Sequence, residues 1–112
     1  MRIAIASLGK NEDSEISNEA GRAPFYLIFE DGKLVETLKN IFRFGGGGSG
    51  ISVAKMLSDN KVKKVIAGKF GPNVKTFFEE KNIEVIEKTG KVLEVLKWMI
   101  SKPLFSKPKM LS

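Results

Sequence analysis

The sequence predicts an α/β domain built on a five-stranded mixed sheet with three helices, and three observations carry that prediction. After residue 45, short apolar runs alternate with segments of helical spacing, the pattern of strand–helix–strand crossovers onto a parallel sheet. Before it, two extended runs flank Asp31-Gly32, the dipeptide of a two-residue hairpin turn, so strand two runs against the other four. At 112 residues, with 42% hydrophobic and 29% charged residues, the chain is sized for one packed domain.

Taken in order, Ile3-Ala4-Ile5-Ala6 is apolar at every position, as in a central strand covered on both faces, and it ends at Ser7. From Leu8 to Arg22 a polar loop carries Glu12, Asp13, Glu15 and Glu19. An unstructured connection of about 15 residues is uncommon in a small domain and points to a functional or mobile segment. Ala23 to Phe29 reads as strand two and Lys33 to Lys39 as strand three. The run Phe44-Gly45-Gly46-Gly47-Gly48-Ser49-Gly50-Ile51 follows, and glycine at this density disfavours folding unless the backbone must move or approach something closely.

Ile51, Val53, Ala54, Met56 and Leu57 then mark the first helix, with Ser49 as its N-cap and its end near Asp59-Asn60. Lys61, Lys63 and Lys64 bracket a turn, and Lys64 to Gly68 is strand four. Gly71-Pro72 opens the second helix, which has Val74, Phe77 and Phe78 on its apolar face and Asn82 at its close. Ile83 to Ile86 is strand five. Lys91 to Ile100 is the third helix, with Val92, Val95, Leu96, Met99 and Ile100 on one stripe and Trp98 beside it as a packing residue. The domain therefore covers residues 1–100, and residues 101–112, with Pro103 and Pro108, read as a flexible tail.

Composition excludes several chemistries. The chain has no cysteine and no histidine, which removes disulfides, thiolate metal sites and the commonest general base. Serine-nucleophile catalysis lacks its partner, and central strand one offers no carboxylate for a two-metal nuclease, so the expectation is a protein without catalytic or metal-ligating residues. No signal peptide and no apolar run of about 20 residues is present, which predicts a cytoplasmic protein away from membranes. The net charge of +6 suits an anionic partner, but no basic stripe interleaves with aromatics, which argues against nucleic acid.

The predicted strand directions bring four segments to one sheet edge: Ser7, Gly21-Arg22-Ala23-Pro24, the glycine run, and Gly68 to Asn73. Ligands of open α/β sheets bind at this carboxyl edge, where helix N-termini also present free N–H groups to an anion. Gly45, Gly47 and Gly50 formally fit G-x-G-x-x-G, but no acidic residue follows about 20 residues later, and Gly50 is not followed by Lys-Ser or Lys-Thr. Both nucleotide motifs are therefore rejected.

Three segments carry a family resemblance: Ser17-Asn18-Glu19-Ala20-Gly21-Arg22-Ala23-Pro24-Phe25-Tyr26, Gly45 to Ile51, and Val65-Ile66-Ala67-Gly68-Lys69-Phe70-Gly71-Pro72-Asn73. With the opening Ile-Ala-Ile-Ala-Ser strand, they resemble the dinitrogenase iron–molybdenum cofactor biosynthesis family from Met1 to about Ile100. The resemblance implies a ribonuclease H-like fold without nuclease activity, and carriage or insertion of an iron–sulfur or iron–molybdenum cofactor. Where that family commonly has Ser-x-His-Phe-Gly-Arg-Ala, this chain places Glu19 at the histidine. A cluster would then be held without direct ligation, with Arg22 pairing an acidic group and backbone N–H groups of Gly46 to Ser49 and Asn73 meeting its anionic edge.

The expected function is thus a small non-catalytic carrier that binds an anionic cofactor or metabolite and works beside a cofactor-biosynthesis protein. Its expected binding residues are Ser7, Ser17, Glu19, Gly21 and Arg22, the run Gly45, Gly46, Gly47, Gly48, Ser49 and Gly50, and Gly68, Gly71 and Asn73. The alternatives are a protein-interaction or regulatory module without cofactor, and a phosphate or nucleic-acid binder.

Overall fold

A computed structural model describes residues 1–44 and 49–99. The strands are β1 (Arg2–Ser7), β2 (Phe25–Glu30), β3 (Lys33–Lys39), β4 (Val62–Ala67) and β5 (Glu84–Glu87). The helices are α1 (Ser49–Asp59), α2 (Pro72–Glu80) and α3 over residues 92–99. Gly45 to Gly48, Ile100 and residues 101–112 lie outside the described residues, and with them the expected binding role of Gly45 to Gly48 and the flexible tail.

The sheet order is β3-β2-β1-β4-β5, with β2 antiparallel to β1 and β3, and β4 parallel to β1 and β5. Asp31 and Gly32 take positive φ angles of 52° and 82°, so the tight hairpin turn forms at the dipeptide that tolerates it. The steps from β3 to β4 and from β4 to β5 run the same way across the sheet. One handedness of crossover therefore puts α1 and α2 on one face, which leaves the other to α3.

Side-chain alternation divides the core accordingly. Ala4, Tyr26, Ile28, Val65 and Ala67 meet Val53, Leu57 and Phe78 on the α1/α2 face. Ile5, Leu27, Phe29 and Ile66 meet Val92, Val95, Leu96 and Met99 on the α3 face. Trp98 is half-buried against that second cluster, with the Lys88 ammonium 4.3 Å from its ring centre.

Several boundaries move. Strand two begins at Phe25, with Ala23 buried just outside the sheet. Strand four begins at Val62, because Val62 is buried and Lys61 takes the turn with φ 63°; Lys63 and Lys64 therefore lie in the strand. Ser49 is the first residue of α1 and not the cap before it, and Ile51 is exposed where the pattern put it on the apolar face.

The largest departure is the Leu8–Arg22 connection, which is tied down at several points. Ile16, Ser17 and Ala20 are buried, and isolated bridges join Ser7 to Ile16, Glu15 to Lys91 and Glu19 to Lys69. Val92 and Leu93 N–H groups donate to the carbonyls of Ser14 and Glu12 at 2.9 and 3.1 Å, so the loop satisfies the open first turn of α3.

Tyr26 is fully buried, and among the described residues its hydroxyl has no hydrogen-bond partner. Burial pushes its ionisation well above the ordinary tyrosine range. Leaving that hydroxyl unpaired costs stability, so Tyr26→Phe should match or exceed the parent by up to about 1 kcal/mol in urea unfolding. A loss of more than about 1 kcal/mol would show that the hydroxyl has a partner.

Candidate functional site

Pairing of β1 with β4 stops at Ile5–Ile66. Beyond it Ser17 stands between the two strands: its N–H donates to the Ala6 carbonyl at 2.8 Å, and its carbonyl accepts from the Gly68 N–H at 2.9 Å. Its hydroxyl donates to the Glu19 carbonyl at 3.2 Å. Gly68 permits this approach, since a Cβ there would lie 2.8 Å from Asn18 Cα. Ala20 N–H then donates to the Lys69 carbonyl at 3.1 Å, which carries residues 19–22 along the rim of the sheet.

On the other side, Asn40 follows β3 and is 1% exposed. Its Nδ2 donates to the carbonyls of Gly21 and Ala23 at 3.1 and 2.9 Å, and its Oδ1 accepts from the Phe42 N–H at 2.9 Å. One buried amide thus joins the loop bearing Arg22 to the loop bearing Arg43.

Two clefts open at this edge. The first, about 340 Å³, is lined by Glu19, Ala20, Gly21, Arg22, Lys69, Gly71 and Val74. It reaches the start of α2, where Gly71 supplies no side-chain cap, leaving the positive end of the helix dipole on the cleft. The second, about 260 Å³, is lined by Leu8, Ser17, Asn18, Glu19, Arg22, Pro24 and Arg43. Glu19 Oε2 lies 3.7 Å from Arg22 Nε, and both side chains are largely exposed.

Of the predicted residues, Ser17, Glu19, Gly21, Arg22 and Gly71 line these clefts. Ser7 is fully buried, and its Oγ is engaged with Gly9, donating to the carbonyl at 2.7 Å and accepting from the N–H at 3.2 Å; it is a structural residue. Gly68 serves backbone packing, Gly50 is buried with its Cα facing Val74 of α2, and Asn73 is exposed in the first turn of α2.

Sequence reading missed Asn40, Arg43 and Lys69. The Arg43 Nε is buried without a hydrogen-bond partner among the described residues, while its guanidinium lies 4.6 Å from the Phe44 ring centre. The one available signal was Asn40, a polar residue closing a strand. Replacing it with Ala orphans two carbonyls and an N–H, so Asn40→Ala should cost about 2–3 kcal/mol in urea unfolding. A loss below about 0.5 kcal/mol, as for an ordinary surface change, contradicts its role as the joint between the loops.

As a donor set, the site offers guanidinium, ammonium and backbone N–H groups. The sequence has no cysteine or histidine, and among the described residues no group of acids is placed to hold a metal ion. Direct ligation of a cluster does not fit these residues; retention of an anion by charge does.

No curated protein sequence matches the chain. Solved structures do. The apo orange protein of Desulfovibrio gigas superposes with a TM-score of 0.84 at 21% identity, over 90% of this chain and 88% of that one. A NifB-like protein from Thermotoga gives 0.74 at 28% identity, over 86% and 84%. A dinitrogenase-like protein from Methanocaldococcus jannaschii gives 0.64 at 22% identity, over 91% and 89%. The dinitrogenase iron–molybdenum cofactor family model matches residues 1–102, so the chain belongs to that family.

Proposed function

We propose that this chain is a small non-catalytic carrier of the cytoplasm that holds an anionic iron–molybdenum or iron–sulfur cofactor at the carboxyl edge of its sheet and passes it to a cofactor-biosynthesis partner. The observation that carries this reading is the gathering of Arg22, Arg43 and Lys69 around two adjoining clefts, beside the uncapped start of α2. Family membership supports the cofactor class.

The cofactor is cargo here. Arg22 and Arg43 present planar forks of donors to its anionic edge, Lys69 adds a point charge, and the Ser17–Arg22 backbone sets the rim. Cargo held by charge and hydrogen bonds leaves without breaking a coordinate bond, which suits transfer to an acceptor.

A second reading, a protein-interaction module, is favoured by one observation. Ile41, Phe44 and Ile51 are 74%, 84% and 51% exposed, and Ile41 also lines a groove of about 490 Å³ with Phe42 and Met56.

Anaerobic titration with extracted iron–molybdenum cofactor, followed by amide NMR, separates the two. The carrier reading predicts joint shifts in residues 17–24, 40–43 and 68–73. It also predicts that Arg22→Ala weakens binding about fivefold, the loss of one exposed charged contact, with unfolding unchanged. If the amides stay in place at saturating cofactor, the carrier reading fails; shifts confined to residues 41–44 and 51–56 on adding a biosynthesis protein favour the second.

A further inference from the structure

Glu19 and Arg22 line both clefts, so their ion pair is the partition between them. Arg43 lies on one side, Lys69 on the other, and Arg22 is common to both. The two backbones that frame the partition are fixed: Ser17 is bonded between Ala6 and Gly68, and Ala20 is bonded to Lys69. The partition itself is two side chains, 61% and 68% exposed and 3.7 Å apart at their nearest charged atoms. A contact of that length and exposure is weak and easily exchanged.

We infer, resting on the carrier reading, that the two clefts are halves of one site for a polyvalent anion, and that Glu19 is its built-in counter-ion, which the ligand displaces from Arg22. A carboxylate beside a guanidinium already occupies the position an anionic ligand needs. A small anion with one charged centre trades one such contact for another and gains little. An anion with separated charged centres reaches Arg22 together with Arg43 or Lys69 and gains what the displaced carboxylate cannot supply. Arg43 is placed for this, because it lines the second cleft beside Arg22. When the ligand leaves, Glu19 returns to Arg22, so the site carries its own means of release.

The test uses inorganic pyrophosphate, with two charged centres, and orthophosphate, with one, at constant ionic strength and with amide NMR as the readout. Pyrophosphate should shift Asn18 and Arg43 on one side and Lys69 and Gly71 on the other, at lower concentration than orthophosphate. Glu19→Gln should tighten pyrophosphate about threefold, the scale of an exposed ion pair. In an Arg22→Ala background the same change should alter affinity by less than about 1.5-fold, because the competition has lost its object. A Glu19→Gln gain of equal size in both backgrounds marks a general field effect and overturns the inference, as do shifts confined to one cleft. Both of those results leave the carrier reading standing. Absence of pyrophosphate binding in the parent and in Glu19→Gln overturns this inference, while the carrier reading stands or falls by the cofactor titration.

Discussion

The candidate site depends on one peptide, that of Ser17, set between parallel strands that stop pairing with each other. In the order β3-β2-β1-β4-β5 the chain builds outward from β1 in one direction, then crosses to the other side, so the junction of β1 and β4 is the topological switch point. Carboxyl ends of strands at such a point leave backbone groups unpaired, and buried ones must find partners. Here the Ser17 N–H and carbonyl satisfy Ala6 and Gly68, and the segment that does so continues directly into Glu19 and Arg22. The structural repair and the charged rim of the cleft are one stretch of chain.

Asn40 plays the corresponding part on the β3 side, where one fully buried amide makes three hydrogen bonds and fixes the distance between two arginine-bearing loops. Backbone and amide bonds, not ion pairs, therefore hold the positive groups in place. The only ion pair described in the clefts, Glu19 with Arg22, is exposed and contributes little to stability. The positive groups at the clefts are thus not consumed in holding the fold together.

The fold was legible because its signals are local. Continuous apolar runs such as Tyr26-Leu27-Ile28-Phe29, the Asp31-Gly32 turn and the stripe of Val92, Val95, Leu96 and Met99 each state their own structure, and together they set strand direction and the edge where the loops meet. Residues 8–22 were not legible, since their order comes from backbone bonds to β1, α3 and Gly68-Lys69 after β4 that leave no trace in side-chain periodicity. Arg43 and Lys69 look like any solvated cations until the loops bring them beside Arg22. Ser7 misled in the opposite direction: it ends a strand at the right edge, but its hydroxyl is consumed by Gly9.

The most direct test of an anion site at this edge is a crystal structure of the protein grown with a polyoxotungstate, an anion with separated charged edges whose position anomalous scattering fixes without reference to the protein. The account predicts a tungsten peak in the clefts bordered by Arg22, with contacts to Arg22 and to Arg43 or Lys69. Polyoxotungstate bound only at other cations, such as Lys61, Lys63 and Lys64 at the opposite edge, with the clefts empty, would contradict it.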